Sequence, residues 1–199
     1  MTVPRLLLVD DQQMMLEGLI ETLRDQIDVV GTVKDGQAAV QAAQQLAPDL
    51  TLLDISMPGM NGLEVVRKLR LLVPECKILF LSMHSNPMYA AEAFRAGGAG
   101  SVCKGTSAPE LIAAIKVVLE GKPYISPLII KDRLRPFFDG TVEPEAADEL
   151  SSEEKAVLRM MAEGRSATEI AEGLGIPVHA AVWNIAIIIE LLGLHLTLE

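Results

Sequence analysis

The first 120 residues alternate between two periodicities. Short apolar runs stand at 5–9 (RLLLV), 28–32 (DVVGT), 50–54 (LTLLD), 77–82 (KILFLS) and 100–104 (GSVCK). Between them lie longer stretches whose apolar residues recur every three or four positions, as at Met15, Leu16, Leu19, Ile20 and Leu23. A short continuous apolar run predicts a strand buried on both faces, and the wider spacing predicts an amphipathic helix. Strands that alternate with helices form βαβ units. The expected fold is therefore α/β: a doubly wound, five-stranded parallel sheet with helices on both faces. The functional crevice of such a sheet lies beyond the carboxyl ends of its strands.

The pattern breaks at 121–150. Four prolines (Pro123, Pro127, Pro136 and Pro144) interrupt it, and it closes on acids. This stretch reads as a linker with a short helix around Leu128–Leu134, its Ile125, Leu128, Ile129, Phe137 and Phe138 packing partly on a domain. From 150 onward the spacing is helical. SSEE at 151–154 and SATE at 166–169 both fit the capping box, in which a Ser caps the helix and a Glu three residues on reaches back. Helices are predicted at about 152–163 and 167–174, ending at Gly164 and Gly175, and a third from Pro177 to about Leu192. Two short helices, a tight turn and a third helix make a small all-α helix-turn-helix domain. The expected division is 1–122, a linker at 123–149, and 150–199.

Composition narrows the setting. Half of the 199 residues are apolar but only 4% are aromatic, so the core must be built from Leu, Ile, Val, Ala and Met. A net charge of −10 repels nucleic acid and anionic membranes unless a basic patch is segregated. Two cysteines, Cys76 and Cys103, do not make a disulfide framework and fit a reduced, cytoplasmic protein. The N-terminal apolar run is too short for a signal peptide and meets acids at once. The stretch HAAVWNIAIIIELLGL at 179–194 carries one acid, Glu190, and no Lys or Arg. A central acid costs about 2.5–3.5 kcal/mol in a bilayer, so a membrane span is disfavoured. Burial in a core or against a partner is the expected fate of so apolar a helix.

The candidate chemistry gathers at the strand ends. Asp10 and Asp11 close the first strand, Asp54 the third, Ser82 the fourth and Lys104 the fifth. Alone, Asp10 and Asp11 are equally well explained as a helix N-cap pair. Five polar side chains at one sheet edge point to chemistry. Three carboxylates repel one another unless a cation intervenes, and hard oxygen ligands suit Mg²⁺. Lys and Ser opposite supply donors for a phosphoryl group, and a carboxylate can itself attack phosphorus. Asp54, between the paired acids and the Lys–Ser side, is the best nucleophile.

The motifs LVDD, LLDISMPGMNG, FLSMH and GAGSVCKG resemble the receiver domain of two-component response regulators, a flavodoxin-like fold, over roughly residues 1–122. The resemblance implies that Asp54 takes a phosphoryl group from a sensor histidine kinase. It implies Mg²⁺ held by Asp11 and Asp54, with Asp10 helping through water, and by the backbone carbonyl of Ser56. It further implies that Ser82 and Lys104 bind the phosphoryl group, and that Pro58 and Gly62 belong to the loop after the phosphorylated strand. One position departs: receivers usually carry an aromatic residue three places before the lysine, and here it is Ser101.

LSSEEKAVLRMMAEGRSATEIAEGLGI at 150–176 resembles the first half of a LuxR-type DNA-binding domain. Together the two resemblances imply a response regulator of the NarL/FixJ subfamily, controlling transcription as a DNA-binding dimer. The third helix departs from that pattern. At the positions that would face DNA stand Ala180, Val182, Asn184, Ile187 and Leu191, and residues 151–199 hold three cations against seven acids. Affinity for DNA comes largely from cations on phosphates, so weak DNA binding is expected. The alternative is a helical module that acts by protein contact or dimerisation. A covalent phosphatase of similar fold is a third reading, disfavoured because Ser56 stands where a second general acid would follow Asp54.

Overall fold

The computed structural model describes residues 3–83, 87–126 and 150–191, without the side chains of 87–89, 91 and 189–191. The chain forms two compact units. The first is built from Met1–Met83 and Ala93–Tyr124, and the second from His84–Glu92 and Ile125–Glu199, which includes the C-terminal helices.

In chain order the α/β elements are β1 (Arg5–Val9), α1 (Gln13–Leu23), β2 (Asp28–Val33), α2 (Gly36–Leu46), β3 (Leu50–Asp54), α3 (Gly62–Leu72), β4 (Lys77–Ser82), α4 (Pro87–Arg95), β5 (Gly100–Cys103), α5 (Ala108–Leu119) and β6 (Tyr124–Ile125). The sheet order is β2-β1-β3-β4-β5-β6, and each of the pairs from β2 to β5 is parallel. The expected architecture is present, with one correction: the sheet has six strands, not five. The extra strand, Tyr124–Ile125, lies in the stretch the prolines marked as linker. Its anchor is backbone, Tyr124 N–H donating to the Ala99 carbonyl at 3.1 Å. The short helix expected around 128–134 lies outside the described residues.

Strand pleating sorts the side chains into two cores. Leu6, Leu8, Leu50, Leu52, Leu79, Leu81 and Val102 pack with Leu16, Leu19 and Leu23 of α1 and Leu111, Ile115 and Val118 of α5. The alternate residues Leu7, Val9, Leu53, Ile78 and Phe80 pack with Val40 and Ala43 of α2 and Val65, Val66 and Leu69 of α3. Burial on both faces explains why the strands read as unbroken apolar runs. Chain direction reverses its lateral progress between β1 and β3, the point at which a doubly wound sheet opens a crevice.

The second unit contains α6 (Ser152–Ala162), α7 (Ala167–Leu174) and α8 (Val178–Leu191). Both capping boxes are formed: Ser151 with Glu154, and Ser166 with Glu169. Gly175 ends α7 in the left-handed conformation, φ 65°, where a side chain is disfavoured. The chain bends by 111° between α7 and α8, within the range of a helix-turn-helix. Packing accounts for most of the apolar character of α8. Ala181, Val182, Ile185, Ala186 and Ile188 are buried and share a core with Val157, Met161, Ile170 and Ala171. No single helix among the described residues is long and apolar enough to cross a membrane.

Candidate functional site

Strand geometry assembles the polar cluster. Leu8, Leu52 and Val102 all belong to the α1/α5 core. Two residues further along each strand, on the same side of the pleat, come Asp10, Asp54 and Lys104. Ser82 instead continues the row of Ile78 and Phe80, which belongs to the α2/α3 core.

The contacts are short and buried. Lys104 Nζ lies 2.8 Å from Asp10 Oδ2 and 2.8 Å from Asp54 Oδ2, and the three side chains are all but buried. The contact with Asp54 is an aligned hydrogen bond, whereas that with Asp10 is an ion contact. The second oxygens are held by backbone: Asp10 Oδ1 accepts from Gln12 N–H at 2.9 Å and Asp54 Oδ1 from Ser56 N–H at 3.1 Å. Burial pulls the Lys104 ammonium towards deprotonation, but its hydrogen bond to Asp54 and its charge attraction to both Asp10 and Asp54 outweigh this and raise its pKa.

Asp10, Asp11 and Asp54 offer carboxylate oxygens that all lie within 4.8 Å of one another. Asp11 Oδ1 is a buried atom with no protein partner. Three carboxylates against one ammonium leave two negative charges in the crevice, which a divalent cation with oxygen preference matches. The donor set fits Mg²⁺.

Ser82 is buried at the same sheet edge on the strand beside Asp54, and its carbonyl accepts from Lys104 N–H at 2.8 Å. Two features were not legible beforehand. The Ser56 N–H grips the Asp54 carboxylate, where the sequence drew attention only to its carbonyl. Gly62 is dictated by packing. A Cβ there would sit 2.6 Å from the Asp54 carbonyl and 2.9 Å from Ile55 Cα, so only glycine lets α3 start against the Asp54 loop. Asn61 caps that helix, accepting from Glu64 N–H at 3.0 Å. Ser101, at the position where an aromatic residue was expected, is 1% exposed and opposite Phe80 in the ladder, and its Oγ has no partner.

The positions assigned to DNA reading on α8 separate. Val182 is buried in the helical unit, 1% exposed, so its side chain is not on the surface where a DNA-reading position would stand. Ala180, Asn184 and Ile187 are half-exposed. The side chain of Leu191 lies outside the described residues. Asn184 Nδ2 donates to Glu153 Oε1 of α6 at 2.8 Å, so its amide is engaged by an acid.

Comparison with known proteins agrees with this architecture. Residues 6–116 match the response regulator receiver domain family. The transcriptional regulatory protein MctR of Rhizobium johnstonii is 34% identical over 174 residues, covering 86% of this chain and 79% of that protein. The response regulator UvrY of Escherichia coli is 34% identical over 176 residues, covering 85% and 79%. Among solved structures, the receiver domain of NarL from Mycobacterium tuberculosis aligns with TM-score 0.59 at 30% identity, covering 61% of this chain and all of that one. A response regulator RcsB–DNA complex aligns with TM-score 0.62 at 25% identity, covering 96% and 93%. Sequence, fold and pocket geometry thus agree, and the chain belongs to the response regulators, among the transcriptional regulators of LuxR/NarL type.

Proposed function

We propose that Asp54 is the phosphoacceptor of this regulator, charged by a sensor histidine kinase, and that the helical unit relays the phosphorylated state to transcription. The observation that carries this is the buried triad in which Lys104 bridges Asp10 and Asp54 at 2.8 Å. An Asp54 oxygen attacks the phosphorus of a phosphohistidine, the P–N bond breaks, and the imidazole leaves with that electron pair. The Ser56 N–H and the Lys104 ammonium fix the carboxylate beforehand, so little reorientation is needed on attack. Lys104, and Ser82 at the crevice edge, then supply donors to the phosphoryl oxygens. Asp10, Asp11, Asp54 and the backbone carbonyl of Ser56 would hold Mg²⁺, which supplies charge neutralisation on the transferring group. The protein is a phosphoacceptor rather than a turnover catalyst, and it works in the cytoplasm where kinase and genes meet.

Incubation with Mg²⁺ and acetyl phosphate tests this chemistry. The full chain gains one phosphoryl group by intact mass, and Asp54→Asn gains none. A parent that stays unmodified, or an Asp54→Asn chain labelled equally, overturns the assignment.

For the output step, the likeness to a DNA-bound RcsB and the helix-turn-helix bend support contact with DNA, in a homodimer. A second reading is favoured by the Asn184–Glu153 hydrogen bond and by the lack of any Lys or Arg in α8. On that reading the helical unit acts by protein contact instead. Association of the full chain, compared with and without phosphorylation by light scattering, and gel shifts at low salt separate the two.

A further inference from the structure

Helix α3 buries Val65, Val66 and Leu69, a stripe spaced three and four apart. Leu71 falls outside that stripe. It stands two residues after Leu69, about 200° round the helix, and is 85% exposed. Leu72, the last residue of the helix, is 49% exposed. Among the described residues these are the only two large exposed apolar side chains that adjoin in sequence. Charge frames the pair. One turn earlier stand Arg67 and Lys68, and just past the helix end stands Glu75; all three are exposed. None of the three is paired with another described residue. Helix α2, which packs beside α3, carries no charged residue from Gly36 to Leu46, so it adds no repulsion to this face. The order along the chain is therefore two cations, two leucines, one acid.

We propose that the carboxyl end of α3 is a self-association surface, its occupant the same end of α3 in a second copy of this chain. The charge order selects that occupant. A uniformly acidic surface laid over the leucines meets Glu75, and a uniformly basic one meets Arg67 and Lys68. A second copy turned about a twofold axis at Leu71 meets neither conflict. Leucine then faces leucine, and Lys68 of each copy, about 4.5 Å before Leu71 along the helix, lies opposite Glu75 of the other. An axis one turn earlier sets Arg67 and Lys68 against their own copies, so charge also fixes the register. Glu64, a further turn back, lies beyond the contact. A single helix end is small beside the roughly 800 Å² per partner of a stable interface, so the association is weak and concentration-dependent. The opposite end of α3, at Gly62, meets the Asp54 loop, and ten helical steps carry the chain about 15 Å from there to Leu72. The pairing leaves the acidic crevice open and does not depend on the phosphoacceptor reading.

Sedimentation velocity of the full chain at low salt, over a concentration series, tests this. A concentration-dependent dimer is expected, and Asp54→Asn is expected to form it equally well. Leu71→Ser, Lys68→Glu and Glu75→Lys are each expected to weaken association by about tenfold. All three positions are exposed, and circular dichroism melts confirm that the variants fold. A mixture of the Lys68→Glu and Glu75→Lys chains gives the sharpest readout. Each variant alone sets like charges opposite each other, whereas in the mixed pair both contacts again join opposite charges. The mixture is therefore expected to regain the parental association that neither chain shows alone. The proposal is overturned by a parent that stays monomeric, by association that survives Leu71→Ser or both charge reversals, or by a mixture that behaves as its separate components.

Discussion

At the scale of single residues, the acidic pocket is an electrostatic balance held by one ammonium. Lys104→Met leaves Asp10 and Asp54 facing each other in a buried setting. Breaking a buried ion pair by removing one partner costs about 3 kcal/mol. The pH dependence has a definite sign. Contacts with Asp10 and Asp54 raise the Lys104 pKa above the ordinary lysine value of 10.5, so the stabilisation is complete below that value. It is lost as pH rises through the folded-state value. Urea unfolding from roughly pH 9 to 12 is expected to show a stability gap between parent and Lys104→Met that closes at the alkaline end. A gap independent of alkaline pH would show that the ammonium does not act as a charge. Ser101 gives the opposite case. Its hydroxyl is buried against Phe80 with no partner, so Ser101→Ala is expected to raise stability by about 1 kcal/mol in the same urea assay.

At the scale of elements, the helical unit is punctuated by its caps. Ser166 accepts from Glu169 N–H while Glu169 reaches back to Ser166 N–H at 2.8 Å. Ser166→Ala removes one half of that exchange and is expected to lower the stability of the helical unit by about 1 kcal/mol, read from its helical circular dichroism. The backbone and side-chain bonds from Ser166 depress the Glu169 pKa, and those from Ser151 depress that of Glu154. Groups so shifted stabilise above the ordinary glutamate value of 4.5 and lose that contribution as pH falls through their folded-state values. These caps were fully legible in the sequence, because a capping box is local and needs only four residues in order. The strand ends that carry Asp54 and Lys104 were legible for a related reason: double burial writes an uninterrupted apolar run. The strand Tyr124–Ile125 was not, since two residues carry no period and the prolines around it read as linker. The grip of Ser56 N–H on Asp54 was hidden too, as a backbone donor leaves no mark in side-chain chemistry. Val182 misled because helix positions alone do not say which face the rest of the unit covers. Burial decided it.

At the scale of the whole molecule, charge limits what the output unit can do. Residues 150–199 supply three cations, Lys155, Arg159 and Arg165. Arg165 is already paired with Glu163 at 2.9 Å. Each phosphate neutralised on duplex DNA contributes about −0.9 to the slope of log affinity against log salt. If the helical units of the homodimer alone contact DNA, their six cations make the slope no steeper than about −5.4, against roughly −10 for a strongly electrostatic repressor. Fluorescence anisotropy of labelled duplex with the phosphorylated full chain, across a salt series, measures it. A slope well beyond about −5.4 would place additional cations of this chain, such as those of the receiver, on the DNA. A slope near zero with measurable binding would mean contact without phosphate neutralisation. Complete absence of binding at low salt would favour the second reading, in which α8 and the Glu153–Asn184 pair meet a protein surface. Whichever slope is found, it reports how many phosphates this acidic regulator can reach, because the net charge of −10 opposes every further one.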